Sequence, residues 1–208
     1  MLLNLNMLYN KYNLQVRGVI HIGAHFGNEN YAYRNHKIQN KMFFEPLPHT
    51  FEVLKKNITD DSILINLALG NSNEKVKMYV ERENQGQSSS ILKPKLHTFQ
   101  YPNIKFKEMI EVDMVRLDDF EFDRSKYNFI NIDVQGYELE VFKGAKKTLE
   151  SIDYVMSEVN RGELYENCAM VTDLDKYLGR YGFERVETTW DGGSWGDAFY
   201  IKKQKDDV

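Results

Sequence analysis

The stretch Val19-Ile20-His21-Ile22-Gly23-Ala24-His25-Phe26-Gly27 limits what this chain can fold into more than any other. Alternating β-branched residues from Val16 to Ile22 read as a buried strand. The two glycines four apart that follow read as a tight loop where a ligand can approach the backbone. That pattern suits a nucleotide-type site. A dinucleotide fingerprint sets glycines at its first, third and sixth positions, whereas here the third position is His25 and the second glycine falls fifth, at Gly27. The spacing favours S-adenosylmethionine over a nicotinamide cofactor, although Gly-x-x-x-Gly alone also marks ordinary strand-to-helix turns.

A second strand, Lys41 to Glu45, ends in a carboxylate about 20 residues past the first glycine, the offset at which an acid reaches ribose hydroxyls in a doubly wound sheet. Glu45 is the candidate ribose clamp; the competing reading is a carboxylate capping the Pro46 to Pro48 turn. Phe129 to Asp133 is another apolar strand closed by a carboxylate, and ligands in open α/β sheets bind beyond such carboxyl ends. Asp133 is expected at a mouth shared with Gly23 and Glu45.

The remaining elements fill in an α/β alternation. Residues 1–15 read as a helix or extended arm, and Asn28 to Gln39 as the first crossover helix. Pro48 opens a helix with Phe51, Leu54 and Ile58 on one face. The strand Ser62 to Leu67 runs into Ala68-Leu69-Gly70. Lys75 to Val80 and Ile110 to Leu117 have a period near two and flank the loop Gln85 to Ser90, which is either a solvated linker or a hydroxyl-rich strip lining the ligand site. A helix is expected from Glu138 to Leu149 and a strand from Asp153 to Val159, with Glu158, Asn160 and Arg161 at its end. Thr172 with Asp175 reads as a capping box, and Gly182 as the left-handed cap of that helix. Phe183 to Thr189 and Ala198 to Ile201 close as an antiparallel hairpin around Trp190 to Asp197.

With 208 residues, 42% of them hydrophobic, the chain fits one mid-sized domain over 1–208, with any loose tail confined to the last few residues. A net charge of −4 gives no general basic footprint for nucleic acid, so small or neutral acceptors are favoured. The single cysteine, Cys168, forms no internal disulfide and supports no metal site alone. Neither a signal peptide nor a membrane span is legible, and a cytoplasmic location is expected.

Taken together, Ile20 to Gly27, Phe44 to Pro48, Ala68-Leu69-Gly70, Ser88-Ser89-Ser90, Leu117 to Phe120, Ile132 to Glu138, Lys143-Gly144-Ala145 and Trp195 to Ala198 resemble the FkbM-type methyltransferases, in family order. The resemblance implies a Rossmann-like class I methyltransferase fold: a seven-stranded, mostly parallel sheet with an antiparallel C-terminal hairpin and helices on both faces. It implies that His21, Gly23, Ala24, His25, Gly27, Glu45, Pro46, Ala68, Leu69, Ser89 and Asp133 surround S-adenosylmethionine, with Ala68 and Leu69 near adenine. It also implies that Asp133 and Glu138 sit at the active centre. Many members carry an acid where this chain has His21 and an asparagine where it has His25, so a cofactor ammonium would turn here to Asp133 or Glu158. Family precedent suggests a sugar hydroxyl as acceptor, such as a rhamnose or fucose in a glycan, and fusion to glycosyltransferases as one module of a larger protein.

Methyl transfer to a hydroxyl needs alignment and a base within about 2.6–3.2 Å of the departing proton. The candidate bases are Asp133, then Glu158 and His25. Substrate contacts are expected from Glu138, Asn160 and Asp197, with Trp190 and Trp195 forming an aromatic platform for sugar ring faces. Oxygen ligands Asp133, Glu158 and Asp197 suit a Mg²⁺ or Mn²⁺ ion. Three other functions fit the residues less well: a nucleic-acid methyltransferase, a nicotinamide oxidoreductase and a non-catalytic cofactor-binding module.

Overall fold

The computed structural model describes residues 1–203; the expectation for the last few residues falls on 204–208, outside them. Strand β1 (Gly18–Ile22) is buried along its whole length, as its apolar run requires of a central parallel strand. It pairs in parallel with β2 (Asn40–Phe44) on one side and β7 (Phe129–Ile132) on the other. Outward from these lie β3 (Ile63–Ile65) and β8 (Tyr154–Asn160), and then β10 (Trp195–Lys202) and β9 (Phe183–Trp190). The order is β3-β2-β1-β7-β8-β10-β9, antiparallel only where β10 meets β8 and β9. This is the expected architecture. A smaller sheet, β4 (Ala68–Leu69), β6 (Phe106–Val115) and β5 (Glu74–Glu81), flanks it.

Because side chains alternate along a strand, each face of the main sheet has its own helical cover. Val19, Phe43, Phe129, Met156 and Phe199 pack with α1 (Leu5–Tyr12), α2 (Asn30–Asn35) and α3 (Pro48–Asn57). Ile20, Ile22, Phe44, Ile132 and Val155 pack with α5 (Glu138–Lys143), α6 (Lys146–Ser151) and α7 (Val171–Gly179). A short helix, α4 (His97–Gln100), lies in the connection between β5 and β6. Among the described residues no helix is long and apolar enough to cross a membrane.

The parallel registers carry one further step, past Ile22, Phe44 and Ile132, to Glu45, Gly23, Asp133 and Glu158, and Glu158 is itself paired with Asp197. Four carboxyl side chains are thus brought to one transverse row at the carboxyl edge of the sheet, at strand spacings of about 4.8 Å.

Three local expectations need correction. The helix over Glu138 to Leu149 is two helices, because Gly144 lies against the backbone of Gly70, where a Cβ would collide with its carbonyl oxygen. The capping box belongs to Met170 and Asp173, whose carboxylate accepts the Met170 N–H at 2.9 Å, while Asp175 pairs with Arg185. That helix ends at Gly179; Gly182, at φ +85°, turns the chain into β9.

The two glycines at helix termini on this face separate close approach from mere propensity. Gly144→Ala is expected to cost about 1–3 kcal/mol by overpacking. Gly179→Ala, with nothing within 4 Å of its added methyl, is expected to gain up to about 1 kcal/mol. Urea unfolding midpoints measure both.

Candidate active site

A cavity of about 320 Å³ opens along the carboxyl edge of the sheet. Its near wall is the turn after β1. Gly23 has φ +77°, and a Cβ there would collide with the Asp133 carbonyl oxygen, so only glycine lets β1 and β7 close at this point. The N–H groups of Gly23 and Ala24 both donate to the Phe44 carbonyl at 2.9 Å. Gly27 is different. Its Cβ position faces Leu54 and Ile58 at 2.7 and 2.8 Å, so this glycine serves packing on α3 and is not part of the cavity wall.

Glu45 caps the turn that follows it, the second of its two readings, and lines the cavity as well. Oε1 accepts the Leu47 N–H and Oε2 the His25 N–H, each at 2.9 Å, so the carboxylate caps its own turn, braces the glycine turn and still lines the cavity. Burial pushes its carboxyl up to about 7, against the opposing pull of those two amides. His25, at φ +49°, places Nε2 2.9 Å from the Gln85 carbonyl and so ties the turn to the loop over residues 85–90. His21 is buried in the strand with Nδ1 3.3 Å from the Tyr33 hydroxyl, and burial lowers its pKa, which keeps the ring neutral.

At the centre, Gln135 is held at φ +55° and its amide nitrogen donates to Asp133 Oδ1 at 2.7 Å and to Glu158 Oε2 at 2.8 Å. The Tyr165 hydroxyl stands 2.8 Å from Gln135 Oε1, and Ser90 Oγ donates to the Gln135 carbonyl at 2.8 Å. Burial, and next the neighbouring Asp133 carboxylate, raise the Glu158 carboxyl well above the usual range. Glu158 therefore favours its protonated form.

Pro46, Ala68, Leu69 and Ser89 also line the cavity, as expected, and Leu67, Met78 and Ile91 join Ala68 and Leu69 to form an apolar slot on the β4 side. The loop over residues 85–90 is a wall of the site, the second of its two readings. Other expected contacts lie elsewhere. Glu138 is fully buried, with Oε1 accepting the Val134 and Gly136 N–H groups at 3.1 and 3.0 Å, so it caps the turn that carries Gln135. Asn160 is buried outside the wall, its side-chain oxygen and nitrogen without partners. Asp197 is buried beneath the N-terminal segment, where Oδ2 accepts the Leu2 and Leu3 N–H groups. Trp190 packs on the α5–α7 face under the Arg161 guanidinium, 4.7 Å from its ring, whereas Trp195, alone among these, lines the cavity, packed with Leu164, Tyr165 and Cys168. The two tryptophans form no common platform, because neighbouring residues in the β9–β10 register point to opposite faces. Among the described residues no three His, Cys, Asp or Glu side chains gather closely enough to hold a metal ion. Asp133, Glu158 and Asp197 do not fit one: the Gln135 amide spans the first two and backbone amides occupy the third.

The wall beyond Asp133, on the β8 and β10 side, includes His97, Tyr101, Ile104 and Leu164, none of which was expected. Their only sequence signal is the aromatic density of His97, Phe99, Tyr101 and Phe106 in an otherwise polar connection.

The strand order, the glycine turn at the carboxyl edge and the acid ending β2 define a Rossmann-like methyltransferase fold. The model of the methyltransferase FkbM domain matches residues 21–185. The chain belongs to this family. It is 28% identical over 158 residues to the 2-O-methyltransferase NoeI of Sinorhizobium fredii, a match that takes in 71% of this chain and 65% of the length of that relative. Solved structures share the fold. They include magnesium protoporphyrin IX methyltransferase of Synechocystis with bound S-adenosylmethionine (TM-score 0.53, 9% identity, 95% of this chain and 76% of that one). A protein of the NADB-Rossmann superfamily from Streptococcus agalactiae is similar too (TM-score 0.53, 11% identity, 100% and 72%). The residues present fit the cofactor: an acidic row suits a sulfonium and an ammonium, and the glycine turn leaves room for a nucleoside.

Glu45 makes stability depend on pH with a definite sign. Its folded pKa, about 7, lies above the unfolded value, 4.5, so its contribution is full below pH about 4.5 and is lost as pH rises through 7. The melting temperature of Glu45→Gln relative to wild type is therefore expected to rise between pH 5 and 8. S-adenosylhomocysteine affinity, measured by calorimetry at pH 8, is expected to fall about 10- to 100-fold on losing a charged hydrogen-bond acceptor.

Proposed function

We propose that the chain methylates a hydroxyl of a sugar, with a deoxyhexose such as rhamnose or fucose in a glycan as acceptor, and that Asp133 takes the hydroxyl proton. The observation that carries the reading is the Asp133–Gln135–Glu158 bridge opening onto the cavity beside the glycine turn. A curated relative that is a 2-O-methyltransferase supports oxygen as the accepting atom. The domain is read as acting alone or as one module of a longer protein, in the cytoplasm.

In this reading Gly23, Ala24, His25 and Glu45 hold the nucleoside sugar, and Ala68 and Leu69 lie against the base. Asp133 or Glu158 faces the ammonium that His21, buried and neutral, cannot take as a carboxylate would. S-adenosylmethionine held there would supply an electrophilic methyl group for the acceptor oxygen. The protein contributes chiefly position, with effective molarities of about 10⁵ M or more for well-aligned partners. Gln135 fixes the Asp133 carboxylate by one amide hydrogen and Glu158 by the other, so the base cannot swing away from the acceptor. A base so placed is worth about 10²–10⁴ in rate.

Calorimetry with S-adenosylhomocysteine, followed by a methyl-transfer screen over glycans, small polyols and RNA, tests the reading. Turnover is expected on saccharides, insensitive to salt, with RNA inert. Asp133→Asn is expected to lower kcat about 10²- to 10⁴-fold with S-adenosylhomocysteine affinity within a few-fold of wild type. Loss of cofactor binding without a separate loss of turnover would falsify the base assignment, and activity confined to RNA would sink the sugar acceptor.

A further inference from the structure

Beyond Asp133 the cavity is closed by the connection between β5 and β6, and the side chain it presents there is His97. The first residue of α4 is held from behind. Its N–H donates to the Leu164 carbonyl at 3.1 Å, Lys95 N–H donates to the same carbonyl at 2.7 Å, and Pro94 forms a bridge with Tyr165. The imidazole is only 4% exposed, yet Nδ1 has no hydrogen-bond partner. A buried polar group left unpaired costs about 1–3 kcal/mol, so a ring kept in this state on a cavity wall is best explained by a ligand that completes it.

The surroundings say what kind of ligand. The His97 ring lies 4.9 Å from that of Tyr101, 5.2 Å from Phe106 and 5.5 Å from Tyr165. Burial pushes the imidazole down to about 4, so it is neutral at physiological pH, with one nitrogen to donate and one to accept. Trp195 donates its indole N–H to the Tyr101 hydroxyl at 2.9 Å, and that hydroxyl donates to Asp191 Oδ2 at 2.9 Å, which fixes both rings at the cavity wall. Ile104 and Leu164 add aliphatic surface on the same side. Tyr165 connects this wall to the reacting centre, since its hydroxyl lies beside Gln135 Oε1. A neutral polar nitrogen among aromatic and aliphatic faces suits a small ring that bears both hydroxyl groups and apolar C–H faces, and disfavours an anion.

We propose that His97 is a specificity-determining residue of the acceptor subsite, its imidazole turning so that the unpartnered, now covered Nδ1 meets a hydroxyl of a deoxyhexose whose ring faces Tyr101 and Trp195. The inference rests on the sugar reading above and names where that sugar is held.

The test uses the full chain loaded with S-adenosylhomocysteine and labelled with ¹⁵N-histidine, titrated with methyl α-L-fucopyranoside and methyl α-L-rhamnopyranoside. The His97 ring resonances, assigned through His97→Gln, are expected to shift saturably with at least one glycoside. In turnover on that glycoside, His97→Phe is expected to raise the acceptor KM at least tenfold. Its kcat should stay within about threefold and its S-adenosylhomocysteine affinity unchanged, and His97→Gln should recover part of the loss. A glycoside that is methylated while the His97 signals stay still, or with an unchanged KM in His97→Phe, overturns the subsite, as does the absence of any shift with both glycosides. A glycoside that moves His97 but is never methylated supports the subsite and counts instead against sugar methylation.

Discussion

The contact between the end of β1 and the end of β7 sets the geometry of everything at the carboxyl edge. At Gly23 the two backbones approach until a methyl group would strike the Asp133 carbonyl, and the chain meets this with a glycine at φ +77°. Closing the strands here draws Asp133 into the same row as Glu45 and Glu158 and leaves the following turns to diverge on either side. A wider spacing would separate the nucleoside wall from the carboxylate pair and leave two half-sites in place of one cavity.

That row concentrates acidic groups where water is scarce, and the protein meets the electrostatic cost with backbone N–H groups. In the row Glu45 accepts amides from Leu47 and His25 and Asp197 from Leu2 and Leu3, and beside it Glu138 accepts those of Val134 and Gly136. Each carboxylate thereby organises a loop, and the loops are the walls of the site. The compensation is incomplete, since Glu45, Glu138, Glu158 and Asp197 all hold their protons more tightly than free carboxyls do. An incompletely neutralised acidic row favours a cationic ligand, as the proposed sulfonium cofactor would be.

The parts legible in the sequence are those governed by local rules. Strand ends marked by Gly23, Glu45 and Asp133 lie where a doubly wound sheet puts them, and the seven-stranded sheet with its antiparallel hairpin is the one the family resemblance implies. Failures came where a distant backbone decides. Nothing near Gly144 reveals that Gly70 lies against it, so one helix is two; nothing near Gly27 reveals Leu54 and Ile58, so a packing glycine resembles a binding one. Glu138 and Asp197 have the residue type of a substrate contact, but their partners are amides that only the folded chain supplies. Trp190 and Trp195 bracket a short turn, yet strand parity sends them to opposite faces.

The acceptor wall was least legible for a related reason, and it explains how one sheet edge can serve different acceptors. Residues 91–106 carry no motif and, like Ser88-Ser89-Ser90 before them, are ordered by long-range pairings: Tyr79 with Ser90, Pro94 with Tyr165, and Lys95 and His97 with Leu164. The groups proposed to bind the cofactor and move the proton sit on strand ends fixed by the core. The side chains proposed to meet the acceptor sit on a connection whose composition can vary without disturbing the sheet. Tyr165 joins the two, touching the His97 ring at one end and the Gln135 amide at the other. Because Gln135 sets the orientation of Asp133, a change in how the connection packs on Tyr165 reaches the reacting carboxylate through two contacts.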